Sequence, residues 1–275
     1  MLYMAISINN NASLFTARFL NNSQNNLQTA QERLSSGKRI NRAADDAAGL
    51  AIAARLATQL LGTEQAYRNT NNGVSFTQTA EASISELQSI TQRIGELAVQ
   101  SANGALGDTD RQFLQQEVSG LQQEAQSIIN SAEFSGNRFL AEDGSIDIQV
   151  GADNSSTISI QTTDLLARLT SNGFFSVDIS TANGAQTALG ALNASTDALV
   201  QQRADFGAAA NRLESTGRSL EVEAESLAAS RSRIEDADYA AEIASRTSSL
   251  MLQNAGLAVQ AHGYVSSRLA STLLK

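Results

Sequence analysis

The sequence predicts a mainly α protein, an elongated antiparallel coiled-coil or helix-bundle rod that carries a small β-hairpin region. The 275 residues include no proline, which fits long unbroken helices. Residues 136–180 instead contain runs in which apolar and polar residues alternate, as they do in strands. The strongest observation is a strict heptad of large apolar residues, the repeat of a helix that packs along another helix: Leu192, Leu199, Phe206, Leu213, Leu220, Leu227 and Ile234.

A second heptad position in the same stretch is small or polar, which favours close packing of a partner helix. A helix over residues 188–234 would be about 70 Å long, whereas helices in globular proteins average about 11–12 residues. Such a helix needs partners of similar length. The residues at this second position are Ala188, Ser195, Gln202, Ala209, Thr216, Glu223 and Ser230.

Shorter and weaker patterns predict the other helices. Residues 4–36 are rich in Asn, Gln and Ser, and Gly37 ends that helix. A second helix covers 47–102, and a third is capped by Asp108 or Thr109. The predicted seam of the second helix runs through Leu60, Tyr67 and Val74, then continues one residue out of phase through Ala80, Leu87 and Ile94.

The β region is predicted to begin with a hairpin. Residues 146–150 and 158–160 alternate between apolar and polar, and the loop 151–156 connects them. Phe175, Val177 and Ile179 predict a third short strand.

Charge divides the chain into two regions. The net charge is −9, yet residues 1–44 carry +4 and residues 243–275 carry +3. This asymmetry predicts one domain of paired terminal helices, 1–44 with 239–275, and a helical domain, 45–238, that contains the hairpin region. The terminal helices have apolar seams at heptad spacing, which other subunits are expected to help cover: Leu20, Leu27, Leu34, Ile243, Leu250 and Leu257.

No constellation of catalytic residues is visible. His262 is the only histidine and cysteine is absent, so we expect no enzyme activity, no metal site and no cofactor. The basic residues are sparse and lack interleaved aromatics, which argues against nucleic-acid binding. No apolar stretch is long enough to span a membrane, and no cleavable signal peptide of the usual kind is expected.

Several motifs in order make the chain resemble bacterial flagellin. They extend from the first residues almost to the last and read ISINN at 6–10, QERLSSG at 31–37, DDAAGLAI at 45–52, ELAVQSANG at 96–104, FSGN at 134–137, DADYA at 236–240 and LMLQNAGLAVQ at 250–260.

The resemblance implies a structural subunit that self-assembles into the extracellular flagellar filament for motility. It implies paired terminal helices in the filament core, with three helices and the hairpin around them. Only residues 171–186 occupy the place of the family's variable outer domain. The implied partners are other copies of the chain, an export chaperone and the hook-associated cap and junction proteins. Two alternatives stay open: a hook–filament junction protein, or a flagellin-like surface protein that binds a polysaccharide or host receptor.

The resemblance also implies a surface for Toll-like receptor 5. Flagellins that activate this receptor use the end of the second helix and the third helix. The alternative is that the same residues serve packing between subunits. The matching residues are Gln92, Arg93, Leu97, Gln100, Leu114 and Glu117.

Overall fold

The computed structural model describes the backbone of residues 2–273 and the side chains of residues 14–265. The predicted mainly α fold with a small β region is confirmed. The helices in this range are α1 (Leu2–Ser36), α2 (Ala47–Ser101), α3 (Asp108–Ser131), α4 (Leu165–Ser171), α5 (Ala182–Glu235) and α6 (Tyr239–Leu273). The strands are β1 (Glu133–Phe134), β2 (Asn137–Arg138), β3 (Gly144–Gln149) and β4 (Thr157–Thr162).

The chain forms two compact units. The terminal unit consists of Met1–Thr58 and Ser226–Lys275, and the central unit is Gln59–Glu225. The predicted division into a domain of paired terminal helices, 1–44 with 239–275, and a helical domain, 45–238, stays a prediction.

Local chemistry fixes where the helices begin and end. Gly37 follows α1 with a φ of 71°, a conformation that glycine adopts without steric cost. The Asp46 carboxylate accepts a hydrogen bond of 2.8 Å from the Gly49 N–H and so caps the start of α2. The predicted cap of α3 at Asp108 or Thr109 is wrong. Gly107 is the N-cap, and its N–H donates to the Asp110 carboxylate at 3.3 Å.

The predicted hairpin is formed by β3 and β4. These strands pair antiparallel, with Ile146 opposite Ile160 and Ile148 opposite Ile158. Ile158 and Ile160 are buried, so this face of the hairpin joins the core of the central unit.

The third strand predicted at Phe175, Val177 and Ile179 is wrong. This stretch contains a short 3-10 helix, Phe174–Ser176, followed by an irregular segment. Side chains from α3 form the hydrogen bonds that a neighbouring strand would otherwise supply. The Gln122 amide donates to the Phe174 carbonyl at 2.8 Å, and the Gln115 amide oxygen accepts from the Ile179 N–H at 2.7 Å. The backbone is thereby satisfied without a sheet.

The core of the central unit lies between α2, α3, the hairpin and α5. Three aromatic rings meet edge to face at its middle. Phe76 is 5.2 Å from Phe139 and 6.0 Å from Phe206 between ring centroids. Such edge-to-face contacts add to the stabilisation from apolar burial.

The predicted seam in the first half of α2 is displaced. Tyr67 is exposed, and Leu60 and Val74 are only partly buried. Small residues and threonines are buried instead. The hydroxyl of Thr70 donates to the Ala66 carbonyl at 2.8 Å, so its polar group is satisfied within the helix. The buried positions recur at heptad spacing: Thr63, Ala66, Thr70, Gly73, Thr77, Ala80, Ile84, Leu87, Thr91 and Ile94.

Candidate assembly interface

The terminal unit is built on antiparallel contacts between α1 and α6. The Ser23 hydroxyl donates to the Ser249 carbonyl at 2.8 Å, and both residues are buried. Further along the pair, Arg33 forms an ion pair of 2.9 Å with Glu242. A Cβ on Gly256 would lie 3.8 Å from Leu20. The surface that α6 turns toward α1 is therefore small and polar.

The apolar residues of α6 lie on its exposed surface. The residues of the predicted seam are exposed: Ile243 by 52%, Leu250 by 36% and Leu257 by 47%. Leu20, Leu27 and Leu34 on α1 are partly buried. The residues of α6 that contact α1 lie one position earlier, at Glu242, Ser249 and Gly256. Burial of the predicted seam by other subunits stays a prediction.

More exposed apolar residues accompany this seam. On α1, Phe15 and Phe19 are exposed, with ring centroids 5.2 Å apart. We define the outer face of the terminal pair as the exposed apolar residues Leu14, Phe15, Phe19, Ile243, Leu250, Met251, Leu252, Leu257 and Val259. Exposed apolar residues in this number on two paired helices are typical of a protein that binds a partner there.

The segment that follows α1 forms hydrogen bonds with the segment that precedes α6. Lys38 and Asp236 form an antiparallel bridge, and the Arg39 N–H donates to the Glu235 carbonyl at 2.7 Å. The Lys38 ammonium lies 2.5 Å from the Glu235 carboxylate. These contacts fix the end of α1 against the beginning of α6, and so position the outer face.

A carboxylate organises the turn that follows. The backbone N–H groups of Arg42 and Asn41 donate to Asp45 at 2.9 Å and 3.0 Å. These two bonds hold the pKa of Asp45 below its ordinary value of 3.8, with Arg33 and Arg42 adding smaller attraction. Arg42 also forms two hydrogen bonds to Glu32 across the turn.

The long heptad of α5 faces inward over most of its length. Leu192, Leu199, Phe206, Leu213 and Leu220 are buried, and Leu227 and Ile234 are partly buried. At the second heptad position, Ala188, Ser195, Gln202 and Ala209 are buried, whereas Glu223 is exposed.

The residues matched to a receptor surface lie in the central unit, and not all are accessible. Arg93 forms an ion pair of 2.7 Å with Glu117 and one of 3.1 Å with Glu96. These carboxylates, Glu117 foremost, raise the pKa of Arg93. Gln92 and Gln100 are exposed, and Leu114 is partly buried. Leu97 is only 1% exposed, so it is part of the core and not of this surface.

The sequence does not predict the structural role of Arg111. Arg111 is 5% exposed, and its guanidinium donates to three backbone carbonyls, that of Ser101 at the end of α2 and those of Asn103 and Leu106 in the loop that follows. Nothing in the sequence distinguishes this arginine from a surface arginine, because its acceptors are backbone atoms.

Comparison with known proteins identifies the family. The model of the bacterial flagellin N-terminal helical region matches residues 7–145, and that of the C-terminal helical region matches residues 189–268. The chain belongs to the bacterial flagellin family. It is 37% identical to flagellin FlaB1 of Treponema pallidum, covering 98% of this chain and 99% of that flagellin.

Other relatives agree with this assignment. The chain is 36% identical to a flagellin of Halalkalibacterium halodurans, over 90% of this chain and 92% of the relative. The crystal structure of Bacillus cereus flagellin superposes with a TM-score of 0.51 at 28% identity, over 56% of this chain and 88% of that one. Between residues 2 and 273, none of the helices combines the length and apolar character needed to cross a membrane.

Proposed function

We propose that this flagellin polymerises into an extracellular flagellar filament through the outer face of its terminal pair, and so serves motility. The single observation that carries the proposal is that α6 turns small and polar residues toward α1 and apolar residues outward. A helix pair in a monomeric protein has the reverse arrangement. The outer face therefore fits burial against other copies of the chain.

The energetics favour a repeating contact. Burying one large apolar side chain contributes about 1.5–3 kcal/mol, and the outer face offers several. A contact between different faces of identical subunits generates a helical filament when its rotation does not close into a ring. This geometry agrees with the filament role of the family.

The proposal is tested with a charge on the outer face. Leu257 is 47% exposed, so we expect Leu257→Asp to leave the melting of the monomer unchanged and to prevent filament growth. Electron microscopy and light scattering measure the growth. The matched control is Val222→Asp, at an exposed apolar residue of α5 in the central unit, which should still polymerise.

Two results would reject the proposal. One is filament growth by Leu257→Asp at the same protein concentration as the parent. The other is a parent protein that stays monomeric at every concentration tested.

The same face suggests partners before and after assembly. We propose that an export chaperone covers it until the subunit leaves the cell, and that hook-associated cap and junction proteins contact it at the filament ends.

We also propose export without cleavage of a signal peptide, which sequencing the N-terminus of the filament protein would test. An anionic polysaccharide is a weaker candidate ligand, since the chain carries a net charge of −9.

We propose a second contact, with Toll-like receptor 5, around Arg93 and Glu117. Its support is that Gln92, Arg93, Gln100 and Glu117 are exposed in the central unit. Arg93→Ala should weaken binding to the soluble receptor ectodomain while filaments still form. Arg68→Ala, at another exposed arginine of α2, is the control. Equal binding by the Arg93 variant and the parent would exclude this contact, as would lack of binding by the parent.

A further inference from the structure

Met251 occupies an unusual position for a methionine. The residue is 66% exposed, and it lies on α6 between Leu250 and Leu252, which are also exposed. The sequence contains two other methionines, Met1 and Met4, whose side chains lie outside the described residues. The outer face thus presents a thioether to solvent among the residues proposed to be buried in a filament.

We propose that Met251 is an oxidation site that controls assembly: a peroxide converts it to the sulfoxide in the free subunit, and the oxidised subunit then joins a filament only at a higher protein concentration. This inference rests on the proposed function. It identifies a modification that the outer face would undergo and the form of the protein that undergoes it.

The chemistry needs only a peroxide as co-reactant. A lone pair on the Met251 sulfur attacks one oxygen of hydrogen peroxide, an S–O bond forms and the O–O bond breaks. The leaving hydroxide takes up the proton released from the transferred oxygen and departs as water. The sulfur is oxidised by two electrons, and the peroxide is reduced. The product is a polar sulfoxide in place of a flexible apolar side chain.

The position of Met251 makes the reaction depend on assembly. In the free subunit the exposed thioether is accessible to a small oxidant, because susceptibility to oxidation follows exposure. In a filament, burial of the outer face would cover the sulfur. Peroxide should therefore act on unassembled subunits and leave assembled ones largely unmodified.

The consequence for assembly follows from polarity. Burying a sulfoxide without a hydrogen-bond partner is unfavourable, whereas burying the thioether is favourable. We expect the critical concentration for polymerisation to rise roughly tenfold or more after oxidation.

The experiment uses the full chain, depolymerised and treated with hydrogen peroxide. Trypsin cleaves after Arg246 and Arg268, so one peptide reports Met251 alone, and the N-terminal peptide reports Met1 and Met4. Mass spectrometry gives the oxidised fraction of each peptide in free and filamentous protein. Light scattering and sedimentation give the critical concentration.

Two variants separate Met251 from the other methionines. Met251→Leu keeps an apolar side chain, so it should polymerise like the parent both before and after peroxide. Met251→Gln places a polar side chain of similar length there, so it should raise the critical concentration without any oxidant. Circular dichroism of the monomers should match the parent for both variants.

Several outcomes would overturn the inference. These are oxidation of Met251 at equal rates in subunits and filaments, loss of assembly by oxidised Met251→Leu, or normal assembly by Met251→Gln. In each case the untreated parent still polymerises, so the proposed function survives. If the untreated parent fails to polymerise, the proposed function itself fails.

Discussion

The central and terminal units share a heptad pattern but use it in opposite ways. In the central unit, Phe206 and Leu213 on α5 are fully buried. In the terminal unit, the heptad residues Ile243, Leu250 and Leu257 on α6 are 52%, 36% and 47% exposed. A heptad of apolar residues therefore shows that a helix has a packing face, but it does not show whether the partner belongs to the same chain.

The difference has a local cause in the partner helices. The central helix α5 lies against small residues of α2: a Cβ on Gly73 would lie 3.0 Å from Leu213, and a Cβ on Gly217 of α5 would lie 3.5 Å from Thr70. Large residues on one helix thus fill space left by small ones on the other. In the terminal unit the small residues, such as Ser249 and Gly256, lie on α6 itself and face α1. The apolar residues of α6 are left on the other side.

The largest expected effect comes from placing a charge in the packed heptad. Leu213→Asp puts a carboxylate at a fully buried position, which typically costs several kcal/mol. We expect the central unit to lose helical circular dichroism or to melt far below the parent. Val222→Asp, on the same helix at a residue that is 67% exposed, should melt close to the parent.

This pair of variants tests the contrast between the units directly. If Leu213→Asp melts like the parent, the inward heptad does not stabilise the central unit. If Val222→Asp is equally destabilising, the cost belongs to a charge anywhere on α5 rather than to the buried seam.

Much of the fold followed from the sequence because it depends on local patterns. The long heptad predicts helix packing, the glycine after α1 predicts a helix end, and the alternation in β3 and β4 predicts strands. The predicted seam of α2 is displaced because the sequence pattern assigns polar residues such as Thr63, Thr70 and Thr77 to the surface. Threonine can nevertheless be buried in a helix, since an intrahelical hydrogen bond satisfies the hydroxyl of Thr70. The sequence also does not predict the orientation of α6, because an apolar heptad does not show that its residues are exposed in the subunit, as Ile243 and Leu257 are.

The candidate sites were harder to predict than the fold. Leu97 matched a receptor motif by sequence, yet it is buried, because it lies on the side of α2 that faces the core. Arg93 and Glu117 are 24 positions apart in sequence and form an ion pair only through the packing of α2 against α3. Contacts of this kind require the fold to be known first.

A smaller effect is expected from the buried arginine of the central unit. Arg111→Ala removes the guanidinium that donates to the carbonyl of the fully buried Ser101, and a buried group left unsatisfied costs about 1–3 kcal/mol. Thermal melting should show a clear decrease, and hydrogen exchange should be faster in residues 102–107. Arg68→Ala, at an exposed site, should change neither quantity. A melting temperature unchanged by Arg111→Ala would mean that water replaces the guanidinium without cost.

The smallest effect should come from Asp45 in the terminal unit, and it should depend on pH. Hydrogen bonds from the N–H groups of Arg42 and Asn41 lower the pKa of this carboxylate in the folded state below 3.8. The unfolded state therefore binds the proton first as the pH falls, so the stabilisation is complete above 3.8 and is lost as the pH falls through the lowered pKa. Asp45→Asn removes this charge, so the variant should melt slightly below the parent at neutral pH, and the two should converge in acid. The exposed Asp197→Asn in the central unit is the control, measured over the same pH range by circular dichroism. If the difference in melting temperature between the parent and Asp45→Asn instead widens toward low pH, the carboxylate does not stabilise this turn.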